Sequence, residues 1–441
     1  MTAALPGRHR RILALALPAT ATLIADPLMG LVDTAVVGRL GAAELGGLGL
    51  AVAVLATVSW VFNFLVFGTT STVARAVGAG DLEAAGRRVA HAGRVAVVLG
   101  VGVGVLLLAV APTLLRLLGA VPELIDPGTT YLRVRALGVP FLLLGYVGHG
   151  AFRGVSDTRT PLLVVAVANV VNAVLTVGLV LGLGMGIAGA AWATVAAEVL
   201  TVALFAALLA RTRLPLAGHG RPNRDQLRAL VVVSRDLFLR TGGLLLGLLA
   251  LTAAAARIGT VTAAAHQVLW QTFIFVSFFM DGLAIAAQAM VGTALGAGDG
   301  DEARAVGRNA LLWGVVGGLV VGLALVAGAG PLPRLLTDDA QVLAMVATAW
   351  WLASLGHVLN GTVFVLDGVL MGAEDFAYLR TWTLAAAAVA AVGGQVVATL
   401  GGELLHLWIV LQVMMLVRLV SLVVRVRGTT WARTGHQLPK Q

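Results

Sequence analysis

Leu28-Met29-Gly30-Leu31-Val32-Asp33-Thr34-Ala35-Val36-Val37-Gly38 is an apolar run with one carboxylate inside it. A charged carboxylate near the centre of a bilayer costs about 2.5–3.5 kcal/mol on insertion scales. Packing alone gives no reason to carry that cost. An acid within a membrane span therefore marks a site, usually one that handles protons or cations.

The rest of the chain supports the membrane reading. Of its 441 residues, 59% are hydrophobic and only 12% are charged, where soluble domains carry about 25% charged residues. There is no cysteine, so disulfides and thiolate metal sites are ruled out. The formal charge is +9, but the basic residues lie between apolar runs, where they set topology and make no nucleic-acid footprint. Arg8, Arg10 and Arg11, followed by Ile12 to Leu17, imitate a signal peptide. The apolar run continues to Val37 and further spans follow, so the segment reads as an uncleaved first helix.

Each span needs about 20 apolar residues, and the sequence offers twelve runs: 12–37, 47–72, 90–112, 129–151, 161–183, 186–210, 229–255, 262–291, 307–328, 341–370, 379–399 and 402–424. The stretch 211–228, with Pro215, Gly218, Gly220 and Pro222, reads as a linker. The expected division is an N-lobe over 1–210, the linker 211–228, a C-lobe over 229–424 and a tail over 425–441. With both termini in the cytoplasm, 23 Arg and Lys residues fall on inner segments. Six (Arg39, Arg116, Arg133, Arg135, Arg257 and Arg334) fall outside, and Arg240 falls within a span. That asymmetry orients a multi-pass protein of the plasma membrane.

The halves repeat. Gly78-Ala79-Gly80-Asp81 returns 218 residues later as Gly296-Ala297-Gly298-Asp299, and Arg153-Gly154-Val155-Ser156-Asp157 is echoed at the same offset by Met371-Gly372-Ala373-Glu374-Asp375. An even number of spans separates the copies. The fold class expected is therefore an all-α polytopic membrane protein of two parallel six-helix repeats, with a substrate site near mid-membrane. The Gly-Ala-Gly-Asp turns lack the Lys-Ser/Thr of a phosphate loop and read as tight turns whose Asp caps the next helix.

Asp26-Pro27 through Asp33 to Gly41 closely resembles the first helix of MATE transporters (multidrug and toxic compound extrusion), in the branch named for the DNA-damage-inducible F protein. Ala151 to Pro161 is similar to that family's loop after helix 4, Gly189 to Thr194 to its helix 6, and Asp367 to Ala373 to the end of its helix 10. The resemblance runs from about Leu13 to Arg425. It implies proton- or sodium-driven export of organic, often cationic, compounds by two rocking lobes. One departure stands out. Where the family often has Asn followed four residues later by Asp, this chain has Asn172 and Thr176, leaving Asp26 or Glu198 to supply a second carboxylate.

The candidate ion-coupling residues are Asp33, Asp26, Asn172, Thr176, Thr194 and Glu198. Asp26 lies seven residues before Asp33, on the same helix face about 10 Å away, and Pro27 frees the Leu23 carbonyl. Asn169, Asn172 and Thr176 share one face of helix 5, and Thr194 and Glu198 share one of helix 6. Interhelical hydrogen bonding is the plainer role for such Asn and Thr side chains. For a substrate cavity the candidates are Asp281, Asp367, Gln267, Gln271 and His149, with Gln288 as a further polar group.

There is no catalytic constellation, so an enzyme is not expected, nor a cofactor or a metal. The lack of a nucleotide-binding domain leaves an ion gradient or a separate ATPase subunit as the drive, and the self-contained repeat with its buried acids favours the gradient. With one central acid, a proton is the more economical partner than sodium. The expected partners are a small organic substrate, protons and the lipid bilayer, with the chain acting as a monomer. Two readings stand beside proton antiport: a sodium-coupled exporter, and a flippase of lipid-linked substrates, which should show a more cationic interior. The intramembrane charges, read along the chain, are mostly acids.

Overall fold

In lipid every backbone N–H and C=O must pair within its own segment, so apolar runs become helices. The computed structural model describes residues 5–212, 214 and 224–434, without the side chains of residues 5, 6, 26, 28 and 224–231. Most of the 211–228 linker and the end of the tail lie outside the described residues. Among those described, no strand occurs and twelve helices are long and apolar enough to cross a membrane. They are α1 Gly7–Val37, α2 Ala42–Gly78, α3 Leu82–Leu117, α4 Pro122–Gly154, α5 Arg159–Gly182, α6 Gly186–Ala210, α7 Val232–Ile258, α8 Thr260–Gly296, α9 Gly300–Ala327, α10 Ala340–Gly372, α11 Phe376–Thr399 and α12 Leu404–Arg427. Several extend past the apolar run that announced them, because caps and turns, not hydropathy, end a helix. A turn at Asn63 interrupts α2, and the last turn of α5, Gly178–Gly182, is π-helical.

The repeat is visible in the backbone. Asp81 and Asp299 cap α3 and α9 alike, each accepting a 2.7 Å bond, from the backbone N–H of Ala84 and of Glu302. The glycines before them sit at φ +75° and +81°, where a side chain would be strained. Among the described residues, the two non-glycine residues at positive φ are Ser156 and Glu374, at +60° and +58°, again 218 apart. Helix crossings repeat too. A Cβ on Gly100 of α3 would lie 2.5 Å from the Pro140 Cα of α4, and one on Gly318 of α9 would lie 2.8 Å from the Val358 Cα of α10. Small residues there let the helix backbones touch, which is how membrane helices associate.

The chain forms two compact units, Ala21–Arg228 and Met1–Thr20 with Ala229–Gln441. This corrects the expected boundary for the first 20 residues, which group with the second unit. Polar partners explain it: Arg8 pairs with Glu302 at 2.5 Å, and the Trp313 indole N–H donates to His9 at 3.0 Å. Gly282 leaves room for the backbone of Ala16 and the side chain of Thr20. Helix α1 thus belongs to the second unit over its first half and to the first unit over its second.

Candidate functional site

In the first unit Asp33 is 5% exposed. The Thr176 hydroxyl donates to its Oδ1 at 2.9 Å and the Thr194 hydroxyl approaches its Oδ2 at 3.1 Å. The Asn172 amide donates to the Thr194 hydroxyl at 3.1 Å. Asn172 and Thr176, one turn apart on α5, are fully buried. The spacing of three and four residues that put them on one face thus turns that face towards α1 and α6. Thr194 is also 3.1 Å from the Ala190 carbonyl. Its single proton can go to Asp33 or to that carbonyl, so the site can solvate Asp33 with or without its charge. The π-helical turn of α5 follows Thr176 directly, and such turns concentrate at functional sites.

Glu198 is in the same region but is not bound to Asp33. Its carboxylate pairs with Arg135 of α4 at 2.8 Å, both side chains being nearly buried. One turn before Arg135, buried Tyr131 lies near enough to Arg135, Asp33 and Glu198 to feel their charges. Gly138, one turn after it, leaves the niche for the pair: a Cβ there would meet Glu198 Oε2 and lie 3.0 Å from Arg135 Nη1. This corrects the reading of Arg135 as an outer topological marker. Removing it leaves the arginine asymmetry intact. Asn169 turns away from the cluster and donates to the Ala25 carbonyl at 2.8 Å, two residues before Pro27. The side chain of Asp26 lies outside the described residues.

In the second unit Asp367 is 4% exposed and held by two arginines. Arg240 donates to its Oδ2 at 2.7 Å, and Arg418 of α12 pairs with the same oxygen. Asp281 is half-buried and acts on Arg418. Gln288 is buried, whereas Gln267 and Gln271 are exposed. His149 belongs to the first unit, edge-on to Phe205 at 5.0 Å. The picture of mostly acidic charges inside the spans is corrected as well: Arg135, Arg240 and Arg418 are buried there, paired with Glu198 and Asp367. Arg240, alone within a span by sequence, was the signal for this triad. A group that the sequence did not single out joins α8, α10 and α12. His266, Phe273, His357 and Trp408 make ring contacts at 5.6–6.3 Å.

Twelve helices in two repeated units, each with buried charges, define a polytopic membrane protein. The chain belongs to the MatE family, whose model matches residues 18–178 and 244–397. It is 35% identical over 389 residues to the chloroplastic Protein DETOXIFICATION 44 of Arabidopsis thaliana, covering 83% of this chain and 72% of that protein. To the DNA damage-inducible protein F of Escherichia coli (strain K12) it is 32% identical over 416 residues, covering 92% and 90%. A crystal structure of a MATE protein in the bent conformation shares its fold, with a TM-score of 0.87 at 22% identity over 97% of this chain and 95% of that one.

Proposed function

We propose that the protein exports small organic compounds in antiport with protons by alternating access, with Asp33 as the acid that takes up and releases the ion. The observation that carries this is the Thr194 hydroxyl, equidistant at 3.1 Å from Asp33 Oδ2 and the Ala190 carbonyl. A carboxyl group that must load and unload a proton in a dry interior needs neighbours able to serve both of its forms. Thr176, Asn172 and Thr194 are uncharged partners of that kind, and π-helical Gly178–Gly182 gives α5 a place to bend. Glu198, Arg135 and Tyr131 extend the polar chain towards α4. The proposed setting is the plasma membrane, with both termini cytoplasmic and the chain acting as a monomer.

The proposed substrate-cavity residues are Asp281, Asp367, Gln267, Gln271 and His149, and Asp367 would act with its two arginines. Those arginines favour one second reading, the flippase of lipid-linked substrates, because an anionic headgroup would meet positive charge in the second unit. Proteoliposomes separate the readings. Export of an organic cation driven by an imposed pH gradient, and abolished in Asp33→Asn, supports the proposal. Export that follows only a sodium gradient, or movement of lipid-linked substrates alone, overturns it.

A further inference from the structure

The Arg135–Glu198 pair has no evident packing role. It is set against the bare backbone of Gly138, and Glu198 lies one turn along α6 from Thr194, whose hydroxyl meets Asp33. Among the described residues Arg135 Nη1 and Glu198 Oε2 have no hydrogen-bond partner. A half-satisfied buried ion pair is a poor device for stability, since an apolar pair of similar size does as well or better. Arg135 also acts on Asp33 electrostatically. Of the charged and titratable groups on α4, α5 and α6, those facing this cluster are Arg135 and Tyr131 on α4 and Glu198 on α6, and α5 turns the uncharged Asn172 and Thr176 towards it.

The charges of this cluster can be counted. Arginine keeps its charge in proteins and Tyr131 is neutral. With both carboxylates ionised the cluster holds one negative charge, and a single proton on a carboxylate oxygen of Asp33 or Glu198 brings it to zero. A proton binds as part of a carboxyl group and needs no shell of its own. A sodium ion needs several oxygens around it and would have to sit beside a guanidinium, with a repulsion that is strong in a low-dielectric interior.

We propose that Arg135 is the residue that sets ion selectivity. It is a fixed internal cation, held on Glu198 and acting on Asp33, that leaves the cluster one proton short of neutrality. This rests on Asp33 being the coupling acid. When Asp33 gives up its proton, Arg135 stays on Glu198 through Nη2 and its charge offsets part of the new one.

The test measures export by reconstituted protein under a fixed pH gradient, with sodium or choline as the bulk cation at equal ionic strength. The unsubstituted protein and Arg135→Lys should be indifferent to sodium. Arg135→Gln leaves two acids with no internal cation, so sodium should inhibit or replace proton drive about tenfold more strongly. Arg135→Gln/Glu198→Gln restores the original charge and should restore indifference to sodium, a reversal that a merely structural role would not produce. If Arg135→Gln does not assemble, Glu198→Gln decides: Arg135 would then neutralise Asp33 without a proton, and export should uncouple from the pH gradient. Sodium indifference in Arg135→Gln, or full proton coupling in Glu198→Gln, overturns the inference. Proton-driven export surviving in Asp33→Asn instead overturns the reading it rests on.

Discussion

Asp33→Asn separates the cost of the acid from its use. The amide keeps the shape of the carboxylate, and every hydrogen bond at the site can be rewritten around it. Its oxygen accepts from Thr176, as Oδ1 of Asp33 does at 2.9 Å. Its NH2 donates to the Thr194 oxygen, and the Thr194 proton moves to the Ala190 carbonyl, already 3.1 Å away. Nothing buried is left unpaired, so the fold should lose no more than about 1 kcal/mol. Thr194→Val is the contrasting change. It strips Asp33 Oδ2 and the Asn172 amide of a partner together, at about 1–3 kcal/mol for each group. The expected result is therefore an Asp33→Asn protein with a thermal midpoint close to that of the unsubstituted chain and no pH-driven export, beside a Thr194→Val protein that melts clearly earlier. Thermal unfolding in detergent, followed by transport in proteoliposomes, reads both. An Asp33→Asn protein that unfolds as early as Thr194→Val would refute the reasoning, because Asp33 would then be a structural acceptor that an amide cannot replace.

Asp367→Asn should be far more damaging, because it leaves Arg240 and Arg418 buried without a counter-charge. Breaking a buried pair costs about 3–5 kcal/mol, and loss of folded protein in a detergent-stability assay would show it. Gly100→Ala and Gly318→Ala should destabilise to similar degrees, by about 1–3 kcal/mol or more, since each Cβ meets backbone at an equivalent crossing; a marked difference in melting would contradict the equivalence. Cysteines placed at exposed Ala79 and Ala297, in a chain that otherwise has none, should resist impermeant thiol reagents added outside intact cells. Rapid labelling of either would invert the proposed topology.

Local chemistry was enough for much of this protein. Twenty apolar residues in lipid must be helical, so the twelve spans follow from hydropathy. The 218-residue repeat follows from turn residues whose backbone angles are demanding, as Ser156 and Glu374 bear out. Asp33 stood out because its cost is intrinsic to where it lies along the chain. Asn172 and Thr176 stood out because a four-residue spacing fixes a shared face whatever that face meets. The tertiary structure alone decided what each face meets. Arg135 and Glu198 are 63 residues apart, and Asp367 is 127 from Arg240 and 51 from Arg418. Read along the chain, each of the arginines other than Arg240 looks like a topological marker near a membrane edge. Whether a guanidinium snorkels to the surface or turns inward to a carboxylate depends on how its helix is rotated about its own axis. That rotation is set by where backbones can touch, at crossings such as Gly100 on Pro140 and Gly318 on Val358. The division of α1 between two units has the same origin, since the apolar run from Ile12 to Val37 marks no boundary at Thr20 and only its partners differ.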